Sequence, residues 1–296
     1  MENCIKFENL LFGDNAEYRD LEINDFEFVA ERLVSLPTMR PFSIENVIIF
    51  IQPLCKNPEF GEIVLEKSSV ICPVLTYRLF KLGIFQYKDI VKLYEKEDVY
   101  MLYYYFWREN NDLEKLISCK TKPYEFDDSF FFNDYDIDDL IMNGFVSSST
   151  EYCLKYDDIN NFMIKFDHYD PNLTENVKWS PFEWSKKPDN LSLLCLSAYF
   201  GSIRCFKHLI LLGYRIDDFS RVYSINSGSS DIFHMCNSEL IDLSKHLIIS
   251  AQYCRLSLLE YLIDNGGNIN ARSLNISNNI PIGVFYILLQ IMDIFQ

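Results

Sequence analysis

The chain has 296 residues, 49% hydrophobic and 16% aromatic, and a formal net charge of −16. That apolar content supplies a core and excludes global disorder, while so anionic a surface repels phosphate backbones and excludes nucleic acid as a partner. After Ser185 nine acidic residues are balanced by nine basic ones, so the excess negative charge precedes residue 186 and is densest from Tyr124 to Asp158, where ten acids face Lys155 alone.

Residues 1–120 read as a helical N-terminal domain. Apolar residues recur at spacings of three and four in Phe26, Val29, Ala30 and Leu33, and again in Val47, Ile48, Phe50 and Ile51. Pro37, Pro41, Pro53, Pro58 and Pro73 are expected to divide this stretch into short helices. Leu75, Leu79 and Leu82, followed by Ile90, Leu93 and Tyr94, predict a helical hairpin with Gly83 in its turn. The aromatic run Tyr103 to Trp107 has only Arg108 beside it, so burial is expected, not base stacking. Met1-Glu2-Asn3-Cys4 shows neither the basic region nor the apolar run of a signal peptide. The nine cysteines are odd in number, scattered and set among apolar residues, as expected of reduced core thiols in a cytoplasmic protein.

Residues 121–150 read as an acidic irregular linker. Asp134, Asp136 and Asp138 alternate as in a calcium loop, but the sixth position is Asp139 instead of glycine and the twelfth is Phe145 instead of glutamate, so a solvated acidic loop is expected.

From residue 151 to 272 a repeat emerges. Leu193 to Phe206 aligns without a gap on His246 to Leu259 at an offset of 53, and the register continues through Leu209 with Leu262, Gly213 with Gly266 and Ile216 with Ile269. Gly228 to Phe233 matches Gly201 to Phe206 at an offset of 27, so the unit is 26 or 27 residues long. A weaker upstream copy lies at Asp157 to Phe162, set off by an insertion around Trp179 to Trp184. Each better unit reads as helix, tight turn, second helix and glycine.

The segment Ser192 to Asp217 resembles an ankyrin repeat, with Ala198, Gly201 and Gly213 where that family places its helix alanine and its two glycines, and Gly266-Gly267-Asn268-Ile269-Asn270-Ala271 resembles the family's G-A-D-V-N-A ending. The pattern resembles the large ankyrin families expanded in parasitic protists. It departs from an ordinary unit of ~33 residues by its shortness, and its T-P-L-H tetrapeptide is reduced to Ser192-Leu193-Leu194-Cys195 and Lys245-His246-Leu247-Ile248. The resemblance implies an all-α fold, a helical N-terminal region followed by a short ankyrin-type solenoid of helix-turn-helix repeats. It implies burial of Leu194, Leu196, Ala198, Ile203, Phe206, Leu209, Ile249, Ala251, Leu259 and Leu262, with a protein partner bound on the concave face. The two positions after the second alanine nominate Tyr199, Phe200, Gln252 and Tyr253, with Asn226 and Ser227 from the middle unit.

Residues 273–296 read as an incomplete terminal repeat or apolar tail. Val284 to Phe295 is short for a membrane span, carries Gln290 and Asp293 and lacks a flanking positive charge, so no membrane association is expected. Cys195 with Cys205, His208 with His246, and His234-Met235-Cys236 lack paired metal-ligand spacing, which leaves no metal site. No P-loop, nucleophile elbow or dinucleotide fingerprint occurs, so neither catalysis nor a cofactor is expected. The expectation is a non-enzymatic scaffold or adaptor. The alternatives are a structural or decaying family member without a specific partner, or an N-terminal domain of unknown activity regulated by the repeats.

Overall fold

The computed structural model describes residues 26–96, 102, 105–106, 137–165, 177, 179–180, 182–189, 192–236, 243–253 and 255–267. Their secondary structure is fourteen α-helices and one short 3-10 turn, with no strand among the described residues. The protein is all-α, and the chain divides into two compact units.

The first unit takes the described residues up to 146 together with 180–186. It begins with α1 (Phe26–Met39), a 3-10 turn (Pro41–Ser43), α2 (Ile44–Leu54), α3 (Pro58–Ile71), α4 (Pro73–Lys81) and α5 (Tyr87–Lys96). Pro58 and Pro73 occupy the first turns of α3 and α4, where a missing N–H costs no helical hydrogen bond. Pro37 and Pro53 each sit in the last turn of a helix, which ends one or two residues later, so the stretch is divided into short helices as expected. A turn with Gly83 in the left-handed conformation joins α4 to α5, and Leu75, Leu79, Ile90 and Leu93 are buried. The two helices are not among the closely packed pairs, as the expected hairpin requires, and Leu82 lies past the end of α4 and is 53% exposed. Tyr105 and Phe106 are buried; the other members of their aromatic run lie outside the described residues.

The expected linker needs correcting. Residues 137–143 form α6 (Ile137–Asn143), whose Ile137, Leu140 and Ile141 are buried in the first unit's core, while 121–136 lie outside the described residues. Asp138 and Asp139 are therefore helical, and Asp138 accepts a hydrogen bond from the Tyr77 hydroxyl at 3.3 Å.

The insertion expected at Trp179 to Trp184 is divided: Trp179 belongs to the other unit, whereas the described residues of 180–186 form a strap in this one. Phe182 and Trp184 join its core, Phe182 meets Tyr105 edge to face at 5.5 Å, and the Lys186 amide donates to the Thr38 carbonyl at 2.9 Å. Under the strap lies Arg78, only 6% exposed. Its guanidinium pairs with Glu45, donates to the Met142 carbonyl at 2.6 Å, and lies 5.3 Å from the Trp184 ring centroid. A buried cation is tolerated when it is paired and hydrogen-bonded, and α2, α6 and the strap meet at this one side chain.

The second unit takes the described residues of 147–179 and those from 187 onward. Four helix pairs follow one another: α7 (Thr150–Lys155) with α8 (Ile159–Lys165), α9 (Leu193–Phe200) with α10 (Ile203–Leu211), α11 (Asp218–Ser227) with α12 (Ser230–Cys236), and α13 (Leu243–Gln252) with α14 (Leu256–Asp264). First helices pack on first helices, α7 on α9, α9 on α11 and α11 on α13. Second helices pack on second helices, α8 on α10 and α10 on α12.

Local devices recur with the pairs. Ser149, Ser192 and Asp217 cap the first helices of three pairs by accepting the amides of Tyr152, Cys195 and Ser220 at 3.1, 3.3 and 2.7 Å. Ser192 thus retains a cap although its tetrapeptide has diverged. Where α7, α9 and α13 end, the amides of Asp158, Ser202 and Arg255 return to the carbonyls of Cys153, Ser197 and Ser250 at 2.9, 2.9 and 2.8 Å. Gly201 and Gly228 adopt the left-handed conformation this turn requires, and Asp157 does so at the matching position of the first pair, with φ of 53°. Leu194, Leu196, Ala198, Phe206, Leu209, Leu259 and Leu262 are buried as expected, whereas Ile203 and Ile249 are half-buried. The side chain of Ala251 and the tail 273–296 lie outside the described residues, among which no helix is long and apolar enough to cross a membrane.

Candidate functional site

The six nominated residues stand at equivalent places, the C-terminal ends of successive first helices. Tyr199 and Phe200 end α9, Asn226 and Ser227 end α11, Gln252 ends α13, and Tyr253 follows it. Packing of α9 on α11 and of α11 on α13 brings these ends into one row.

Their exposure differs from the expectation of a row of aromatic anchors. Tyr199 and Phe200 are only 4% and 5% exposed. Trp179 stacks on Phe200 at 6.1 Å with 3° between ring planes and meets Tyr199 edge to face at 6.2 Å, while Tyr223 of α11 closes the other side of Tyr199 at 5.7 Å. Burial is the physical outcome for large rings with apolar neighbours on three sides. The insertion supplied the missing neighbour: Trp179 belongs to it and was not nominated from the sequence.

Farther along the row the chemistry is polar. Asn226 is 4% exposed, its side chain hydrogen-bonds the Tyr253 phenol, and its Oδ1 has no hydrogen-bond partner. Its backbone carbonyl accepts the Arg255 guanidinium, with Nε at 2.9 Å. Ser227 is half-buried, donates to the Ser224 carbonyl at 2.9 Å and accepts the Ser229 amide at 3.2 Å. Tyr253 is also half-buried. Burial holds its phenol above the usual range, the Asn226 hydrogen bond opposes that shift and the nearby Asp189 carboxylate adds to it. The side chain of Gln252 lies outside the described residues.

Cross-pair ties hold the row in register. The Asp157 carboxylate accepts the amides of Arg204 and Cys205 at 3.0 and 2.9 Å and the Arg204 Nε at 3.1 Å, capping α10 from the preceding pair. The Ser202 hydroxyl donates to the Leu154 carbonyl, and Arg255, which aligns with Ser202 at the offset of 53, makes the corresponding bond to Asn226. That alignment was the available signal for Arg255; no sequence pattern marked Asp157 as a cap for the next pair.

Among the described thiols, the two nearest the third helix pair, Cys195 and Cys236, are held protonated by burial, which pushes them up to about 11 and about 12, so both are neutral near pH 7. Cys195 lies 3.5 Å from Asp217 Oδ1, but that carboxylate caps α11 and raises the thiol further. No family model, curated protein or solved structure matches the chain.

Proposed function

We propose that the second unit is a short ankyrin-type solenoid and that the protein is a non-enzymatic interaction scaffold or adaptor working in the cytoplasm. The observation that carries this reading is the like-on-like packing of successive helix pairs, first on first and second on second. A stack built that way offers one row of equivalent helix ends, and recognition by repeat proteins is distributed along such rows. The row nominated from the sequence is divided in two. Tyr199, Phe200 and Asn226 are buried and support it, while the half-buried Ser227 and Tyr253 form the part a partner reaches. Exposure favours this division, because Asn226 is as buried as Tyr199 whereas Ser227 and Tyr253 are half-buried.

The test is photocrosslinking with the full-length chain, replacing Ser227 or, on the second helix of the same pair, the exposed Asp231 by benzoylphenylalanine. The expected result is one discrete protein adduct from position 227 and not from 231, reduced by Tyr253→Ala with unchanged circular dichroism. Equal adducts from both positions, or an adduct indifferent to Tyr253→Ala, would remove the row as the binding face.

A further inference from the structure

The row of helix ends extends one pair beyond the nominated residues. The turn bond from the Asp158 amide to the Cys153 carbonyl matches those from Ser202 to Ser197 and from Arg255 to Ser250, so Tyr156 holds in the first pair the place of Phe200 in the second and Tyr253 in the fourth. Packing of α7 on α9 sets Tyr156 at the head of the row. Tyr156 is 38% exposed, and Tyr152 braces it from one turn back with ring centroids 4.6 Å apart. At the second pair the half-buried Trp179 stacks over Phe200. A partner running along the row therefore meets Tyr156, Trp179, Ser227 and Tyr253, three large rings and one small hydroxyl. Beside Tyr253, Asp189 is exposed and makes no salt bridge among the described residues. The row's own arginines are committed, Arg204 to Asp157 and Arg255 to the Asn226 carbonyl.

We propose that the row binds a proline-rich segment of a partner protein in the polyproline II conformation, its prolines lying on Tyr156, Trp179 and Tyr253 and a basic residue at one end pairing with Asp189. The inference names the partner class of the face proposed above and rests on that reading. Packed helices lie ~8–10 Å apart, and polyproline II returns to the same face every three residues, about 9 Å, so one proline per turn keeps step with one helix pair. Its backbone makes no internal hydrogen bonds, so its carbonyls remain open to donors such as phenols, an indole N–H and a serine hydroxyl; an α-helix of the same reach has already spent its carbonyls. Aromatic rings suit proline because the ligand is ordered before it binds and loses little entropy. The carboxylate at one end gives the pairing a charge preference and a direction.

The experiment measures by fluorescence anisotropy the binding of dye-labelled decaproline to the full-length protein, the peptide carrying arginine at its C-terminal end, at its N-terminal end or at neither. Arginine at one end is expected to tighten binding about threefold, and Asp189→Asn should abolish that gain. Tyr156→Ala and Tyr253→Ala should each weaken decaproline about tenfold, Tyr156→Phe should not, and circular dichroism should be unchanged in all three. Hexaproline with the same arginine is only about 19 Å long and cannot touch both ends of the row, so it should respond to Tyr253→Ala and not to Tyr156→Ala. Equal binding of a Gly-Ser decapeptide bearing the same arginine, no preference for arginine at either end, or indifference of decaproline to Tyr156→Ala would each overturn the proposal. Excess arginine-decaproline should also suppress the adduct from position 227. An adduct that it leaves intact would overturn this inference and keep the row as the binding face, whereas equal adducts from positions 227 and 231 would overturn both.

Discussion

In the second unit surroundings recur from pair to pair, so that Ser202 and Arg255, aligned at the offset of 53, perform the same task, each bonding a carbonyl of the pair before its own. In the first unit nothing recurs. Arg78 finds Glu45 and Met142 at separations of 33 and 64 residues, and its aromatic cover, Trp184, lies farther still along the chain. One unit is therefore held by nearest-neighbour interfaces repeated along an axis, the other by unlike segments converging on one buried cation. Energies in the first arrangement are local, whereas in the second a single loss is felt by every segment that converges.

The sharpest way to break this contrast is Phe182→Ala. Phe182 is 1% exposed, and removing a buried phenylalanine costs ~3–5 kcal/mol, a large share of a domain's stability. Although most residues flanking it in sequence belong to the helix stack, the damage is expected in the other unit. Hydrogen exchange should show protection lost across α1 to α4 and retained in α9 to α12. Loss confined to the strap itself would show that the first unit does not depend on it.

This contrast also explains what was legible in the sequence. The helix pairs were readable because one offset fixes both the turn glycines and the buried leucines, and α1 and α2 because their apolar spacing is helical. Helix α6 had the same signal in Ile137, Leu140 and Ile141, but the acids between them and its brevity made it read as linker. The strap had no signal: it has no period, and the partners of Phe182, Trp184 and Lys186 lie 77, 106 and 148 positions upstream, at Tyr105, Arg78 and Thr38. The candidate row was legible in register and not in exposure, because Tyr199 and Phe200 are buried by Trp179, a residue outside the repeat.

Within the stack, a smaller effect is expected from Gly228→Ala. Left-handed backbone costs an alanine ~1–2 kcal/mol, and the new Cβ would lie 2.8 to 2.9 Å from the Arg255 guanidinium, displacing it from the Asn226 carbonyl. We expect about 2 kcal/mol in urea unfolding, with exchange faster in α11 to α14 and unchanged in the first unit. Gly213→Ala is the control: its φ is +94°, yet nothing lies within 4 Å of the added carbon. It should lose the backbone strain alone, and the difference between the two variants measures the Arg255 tie. Equal losses would mean that Arg255 adjusts without cost.

The smallest expected effect is at the junction between the first two pairs. Asp157→Asn keeps a side chain that tolerates the left-handed backbone and can still accept the Cys205 amide, but it removes the charge facing Arg204 and the amino end of α10. Because Arg204 is largely exposed, the loss should be only about 0.5 kcal/mol and should fade with added salt. Asp157→Gly relieves the backbone but removes the cap altogether, for which ~1 kcal/mol is typical, so it should be the more destabilising of the two in urea unfolding despite its easier φ. The opposite order would mean that strain at Asp157 outweighs its hydrogen bonds, leaving the Ser202–Leu154 bond and apolar packing to join the first pair to the second.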